Sequence, residues 1–112
     1  VYVAGPISKG DLRENIRIAC DAGMRLLKAG FAPLVPHATC YLDGTGEPHI
    51  LPSGTTHEDW MAADLPWVSV TQCLLRLPGE SVGADQEVEK ARSLGIPVYF
   101  DIDTLIQRER AA

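Results

Sequence analysis

Four short apolar runs, separated by stretches with helical spacing, limit this chain more than any other feature. Val1–Ala4 stops at Gly5-Pro6, Phe31–Val35 stops at Pro36, Cys73–Leu77 stops at Pro78-Gly79, and Ile96–Phe100 precedes a final polar segment. Runs of this length bounded by Gly or Pro are expected to be buried strands. Between them, Asp11 with Glu14 three residues on has the form of a capping box. It opens a helix with Ile16, Ala19, Gly23, Leu26 and Leu27 toward the core, ending at Gly30. A second helix is expected from a cap at Thr55 or Thr56 through Trp60 and Met61. A third runs over Ser81–Leu94 and ends at Gly95, and a terminal helix covers Asp103–Arg110. Residues His37–Ser53 have no periodicity and are expected to form a long loop, a length usually reserved for function or mobility. Strands alternating with helices imply right-handed crossovers and a parallel sheet with helices on both faces. The 112 residues suit one domain, 1–112.

In such a fold, ligands sit beyond the carboxyl ends of the strands. The informative segments are therefore Gly5–Gly10, His37–Ser53 and Pro78–Glu87. Stepping 100° per residue around the third helix puts Ala84, Val88, Ala91 and Leu94 in one arc. Glu87 falls inside that arc, whereas Asp85, Glu89 and Arg92 fall opposite, on the expected solvent face. A carboxylate on a packing face needs partners. Glu87 is thus either a capping or ion-paired residue near a helix N-terminus or a carboxylate in a shielded pocket. Asp64 has Trp60, Met61, Trp67 and Val68 at −4, −3, +3 and +4. It lies in an apolar stripe if the helix is continuous. If Pro66 breaks the helix near Leu65, Asp64 is instead the N-cap of a second piece. The turns Gly5-Pro6-Ile7-Ser8-Lys9-Gly10 and Gly79-Glu80-Ser81-Val82-Gly83-Ala84 are rich in small residues, which lets free N–H groups approach an anion. Neither matches a Walker or G-x-G-x-x-G pattern.

Several ligand classes are disfavoured. A net charge of −5 argues against a nucleic-acid polymer as partner. His37, His49 and His57 lack metal-ligand spacing; Cys40 three residues after His37 is unsupported by further ligands, so no metal is expected. Cys20, Cys40 and Cys73 are scattered and expected to be reduced thiols of a cytoplasmic protein, with Cys40 in a polar loop as the alternative reactive thiol. No run of about 18 apolar residues is present, so no membrane association is expected, and no leader is expected either. Both tryptophans are expected in the core. Hydrophobic residues at 46% permit a real but small core, which makes self-association reasonable.

Tyr2-Val3-Ala4-Gly5-Pro6-Ile7-Ser8, Asp64-Leu65-Pro66-Trp67, and Ser81-Val82-Gly83-Ala84-Asp85-Gln86-Glu87 with Ala91, Leu94-Gly95 and Pro97 resemble, in order, the nucleoside 2-deoxyribosyltransferase superfamily. The most similar subset is its short phage and bacterial members. The resemblance implies a flavodoxin-like, doubly wound parallel sheet of four to five strands, a homodimer or higher oligomer, and no cofactor. It implies that Glu87 attacks the anomeric carbon of a nucleoside or nucleotide, that Tyr2 positions Glu87, and that Asp64 lies at the sugar or base. It also implies substrate contacts from Gly5, Pro6, Ile7, Ser8, Ser81, Gly83 and Ala84, with Ser81 at a 5′-phosphate. The expected activity is cleavage of the N-glycosidic bond of a (deoxy)nucleoside 5′-monophosphate, by hydrolysis or base transfer. The alternative is a nucleotide-sensing module of the same fold. Two positions depart from the family pattern: Gln72 where an aspartate is usual, and Pro6 and Ser8 where the phosphate-binding branch has serine and arginine.

Overall fold

A computed structural model describes residues 1–111. Its elements follow the expected alternation. Strand β1 is Tyr2–Ala4, helix α1 Leu12–Lys28, α2 His57–Ser69, β2 Leu74–Arg76, α3 Val82–Ser93, β3 Val98–Tyr99 and α4 Ile102–Ala111. All strand pairs are parallel, in the order β1-β2-β3, with Tyr2 beside Leu74 and Leu74 beside Val98. The sheet has three strands among the described residues, fewer than the four to five expected. The missing one is Phe31–Val35. Leu34 directs its N–H and C=O at β1, and the next donor toward that edge would be Pro36, which has no N–H, so this segment contributes only a bridge at Leu34 on the free edge of β1. There Val3 N–H donates to Leu34 O at 2.9 Å and Leu34 N–H to Val1 O at 2.8 Å.

Successive strand residues point to opposite faces, and the core divides accordingly. Val3, Cys73 and Leu75 pack with Ala19, Ala22 and Leu26 of α1 and Leu105 of α4. Tyr2, Ala4 and Leu74 pack with Val68 of α2 and Ala84, Val88 and Ala91 of α3. Each fully buried Leu or Val contributes roughly 1.5–3 kcal/mol over its exposed state, so these two clusters dominate stability. Leu27 and Leu94, expected inside, are exposed, each a step beyond the buried arc of its helix. Among the described residues no helix is long and apolar enough to cross a membrane.

The caps follow the sequence with two refinements. Asp11 accepts from Glu14 N–H at 3.1 Å, but the Glu14 carboxylate turns to Arg17, so the box is half-formed. The reciprocal box belongs to Thr56 and Asp59 at the start of α2. The segment expected as a long loop is partly folded: Pro36–Tyr41 is a 3-10 helix that buries His37 and Cys40, and Pro52–Gly54 is another 3-10 turn. The proline at the head of each turn has its φ set in advance and needs no donor.

At the carboxyl edge of the sheet, the turns after β1 and β2 touch. Gly79 has φ +111°, and a Cβ built there would lie 2.8 Å from Pro6 Cγ. Gly10 has φ +79° but open space around it. Gly10→Ala is therefore expected to cost about 1 kcal/mol, from the left-handed backbone alone. Gly79→Ala should cost at least about 1 kcal/mol more, because the overlap with Pro6 adds to the strain. Urea unfolding of the two variants measures the difference, and equal losses would show that the two turns are not in tight contact.

Candidate active site

Tyr2, with Ala4, is on the face of β1 turned toward α3, and it is 0% exposed. A buried phenol needs a partner. Its hydroxyl donates to Glu87 Oε2. Glu87 lies on the buried arc of α3 with Ala84, Val88 and Ala91, as the helical stepping predicted, and is 6% exposed. It neither caps the helix nor, among the described residues, forms an ion pair, so its role is set by Tyr2 and the space beyond it. Burial pushes the Glu87 carboxyl up to about 7; the Tyr2 hydrogen bond opposes this rise and the nearby Asp64 charge adds to it. Burial, and then the Glu87 and Asp64 charges, push the Tyr2 phenol far up, so it remains a donor.

Asp64 projects from the middle of α2 and is 7% exposed. The expected break near Leu65 is absent: α2 continues through Pro66, and Asp64 is not an N-cap. Ala62 and Pro66 are both exposed, so the carbonyl left without its N–H faces water. Burial raises the Asp64 carboxyl to about 6, and its Oδ1 has no hydrogen-bond partner among the described residues.

These groups border one cavity of about 170 Å³, roughly ten times what a single water needs. Gly5, Ile7, Ser8, Asp64, Ser81, Gly83, Ala84 and Glu87 all line it, together with Lys9. Tyr2 stands behind Glu87 rather than on the wall, and Pro6 faces Gly79 instead of the cavity. The first turn is pinned from two sides. Asn15 Nδ2 donates to Ile7 O at 3.0 Å and Lys9 O at 2.7 Å, and His37 Nε2 lies 3.0 Å from Pro6 O. Opposite, Ser81 is the N-cap of α3 and accepts from Ala84 N–H at 3.1 Å. A serine hydroxyl that accepts one bond can still donate one. The free N–H groups of the first turn of α3 lie beside it, a geometry that favours an anion.

Sequence reasoning missed several contributors. His37, Cys40, Trp60 and Met61 line the cavity, and the buried Arg76 braces it. Arg76 donates to Leu77 O, to Gly79 O at 2.9 Å and to Asp85 Oδ1 at 3.0 Å, which ties the end of β2 to the start of α3. Its signal was a charge inside an apolar strand run. Neither tryptophan is a core residue: Trp60 lines the cavity with its indole N–H donating to Thr55 Oγ1 at 2.7 Å, and Trp67 is 41% exposed. Cys40 is not a thiol in a polar loop; burial and Asp64 push its pKa up, which disfavours the thiolate. All three cysteines are free, and no group of three or more His, Cys, Asp or Glu among the described residues is placed to hold a metal ion.

The buried carboxylate has a consequence for stability. Glu87 binds its proton more tightly folded than unfolded, so the native state holds more protons between about pH 4.5 and 7. Stability must then fall as pH rises through that window. Glu87→Gln keeps an acceptor for Tyr2 and removes the charge. The variant is expected to exceed the parent by about 2–3 kcal/mol at pH 8 and to match it near pH 4. Denaturant titrations at the two pH values check this; a variant less stable at pH 8 would mean that the Glu87 charge is compensated.

A scan of protein-family models, a search of curated proteins and a search of solved structures each find no match to this chain.

Proposed function

We propose that the chain cleaves the N-glycosidic bond of a (deoxy)nucleoside 5′-monophosphate, with Glu87 as nucleophile. The observation that carries this is the buried Tyr2–Glu87 hydrogen bond at the wall of a cavity that also holds Asp64. Burying that carboxylate costs stability, and the Tyr2 hydroxyl offsets part of the cost while holding it at a fixed position on the cavity wall. Breaking a glycosidic bond builds positive charge on the sugar, and a carboxylate there stabilises or traps it. A Glu87 oxygen bonds to the anomeric carbon as the carbon–nitrogen bond breaks, and its electron pair leaves with the base. Asp64 supplies the proton that the departing base takes up. Water, returning a proton to Asp64, or a second base then releases the sugar from Glu87. Burial raises both carboxyls, to about 7 and about 6, so acidity does not divide the roles; they are assigned by position, Glu87 being held by the Tyr2 hydroxyl while Asp64 Oδ1 has no partner among the described residues.

The resemblance described above points the same way, and with it come the flavodoxin-like, doubly wound arrangement, a homodimer or higher oligomer, and a cytoplasmic setting. The 5′-phosphate is assigned to Ser81, the first-turn N–H groups of α3, Ser8 and Lys9. Incubation with a panel of deoxynucleoside monophosphates, followed by chromatography for free base, tests the activity. Release should fall more than about 100-fold in Glu87→Gln, as befits loss of a nucleophile. A variant retaining over about a tenth of the rate would exclude Glu87 from that role. Binding without release would identify a nucleotide-binding module instead.

Ser81→Ala separates phosphate contact from capping. Loss of the cap should cost about 1 kcal/mol of stability. Monophosphate binding should weaken by about 1–2 kcal/mol, and binding of the matching nucleoside should hardly change. Equal losses for both ligands in calorimetric titration would remove the phosphate from Ser81.

A further inference from the structure

Among the described residues, the buried polar or charged ones outside the apolar core are His37, Asp64, Arg76 and Glu87. Arg76 alone of these carries a permanent positive charge. It pairs with Ala4 across the sheet and is 8% exposed. Neighbouring strand residues face opposite ways. Leu75 packs with α1 and α4, and Leu74 with α2 and α3, so Arg76 is on the α3 side, where Tyr2 and Glu87 meet. Its guanidinium donates to Leu77 O, Gly79 O and Asp85 Oδ1. Two of these acceptors are neutral carbonyls. The third belongs to a side chain that is 72% exposed, so water screens its charge. Bracing a turn needs donors, not a charge. A cation is also misplaced beside the N-terminus of α3, where the helix dipole favours anions. The hydrogen bonds therefore do not account for the charge.

Its influence falls on Glu87. On the elements packed against α3, the groups acting on Glu87 are Tyr2 of β1, Asp64 of α2 and Arg76 of β2, while β3 contributes the apolar Val98. His57 at the head of α2 lies by Gly83, and Lys9, His37 and Cys40 line the same cavity. Burial, and then Asp64, favour the protonated Glu87 carboxyl; the Tyr2 hydroxyl and the Arg76 charge favour the carboxylate. Burial alone raises Asp64, so the guanidinium acts on one carboxyl of the two. We propose that Arg76 is a positioning residue for the nucleophile: its buried charge, fixed at the first turn of α3, keeps Glu87 ionised beside a second carboxyl. The catalytic side of this role rests on Glu87 as nucleophile, proposed above; the effect on ionisation does not. A protonated Glu87 has no charge to offer the anomeric carbon, so Arg76 sets the fraction of molecules ready to react.

Carbon-13 NMR of the glutamate and aspartate side-chain carboxyls follows each titration, with Glu87→Gln and Asp64→Asn assigning the two resonances. Arg76→Met keeps the length and removes the charge. In it the Glu87 midpoint should rise by about 0.5 or more in pH, and Asp64 should move less. Arg76→Lys keeps the charge without the planar fork and should leave Glu87 within about 0.3 of the parent. Equal rises at both carboxyls in Arg76→Met, or the same rise in Arg76→Lys, would reduce Arg76 to a brace and overturn the proposal. An unmoved Glu87 overturns it too, even if monophosphate binding weakens. Should Arg76→Met lack native circular dichroism, Arg76→Gln, which retains a donor for the turn, takes its place. Base release is the second readout: the pH of half-maximal rate should rise with the Glu87 midpoint. A half-maximal pH that stays fixed while the rate falls at every pH overturns the catalytic role. If the parent releases no base, the nucleotide assignment falls, and the NMR titration still decides whether Arg76 sets the ionisation of Glu87.

Discussion

The hydrogen bond from Tyr2 to Glu87 is the interaction on which the rest of the molecule depends. It joins β1 to α3 through two side chains that are almost fully buried. A carboxylate in that position without a donor would be expensive enough to reorganise its surroundings. With the phenol beneath it, α3 has one rotational setting on the sheet. That setting places Ala84, Val88 and Ala91 against Tyr2, Ala4 and Leu74 and turns Ser81 and Gly83 toward the cavity. Packing and site are thus determined by the same contact. A slip of one residue in α3 would carry Glu87 about 100° away from Tyr2 and bury a polar neighbour in its place.

Around this contact the turns at the carboxyl edge hold one another. Pro6 closes on Gly79, Arg76 binds the carbonyls after its own strand and the Asp85 carboxylate, and Asn15 and His37 take the carbonyls of the first turn. The connections are made by side chains to backbone oxygens, in segments that have no ladder of their own. This is how a three-stranded sheet with strands of two or three residues keeps a defined rim. The sheet contributes few hydrogen bonds, and the polar side chains near its edge replace those that longer strands would have provided.

Much of this was legible in the chain. The alternation of apolar runs and helical stretches located the four α-helices, and the stepping around α3 put Glu87 on the buried side. Glu87 was visible because helical periodicity is regular over many residues and a single carboxylate breaks it. Asp64 was visible for the same reason, but its role as a cap or a wall residue turned on Pro66. Local propensity favours a break there, yet α2 continues because the freed carbonyl of Ala62 is on the wet side. Phe31–Val35 looked like a strand because composition reports burial; it does not report the register, which puts the next ladder donor at Pro36, a residue with no N–H. His37, Cys40 and Arg76 were obscured for another reason. Their positions depend on a 3-10 helix and on a turn, neither of which has a long enough repeat to show in a sequence.

Two of the groups that remained hidden are held by backbone carbonyls: His37 by Pro6, and Arg76 by Leu77 and Gly79. Carbonyls are present at every residue, so such pairings leave no pattern of residue types. A fold selected only for stability would pair both ring nitrogens of His37 and both oxygens of Asp64, or replace them with apolar side chains at little cost. Here His37 Nδ1 and Asp64 Oδ1 have no partners among the described residues, and both residues line the cavity together with Glu87, whose carboxyl burial holds near neutral. Unpaired buried polarity of this kind is costly for the folded protein. This connects the stability of the chain to its chemistry: the groups that weaken the folded state are the ones arranged to meet a ligand.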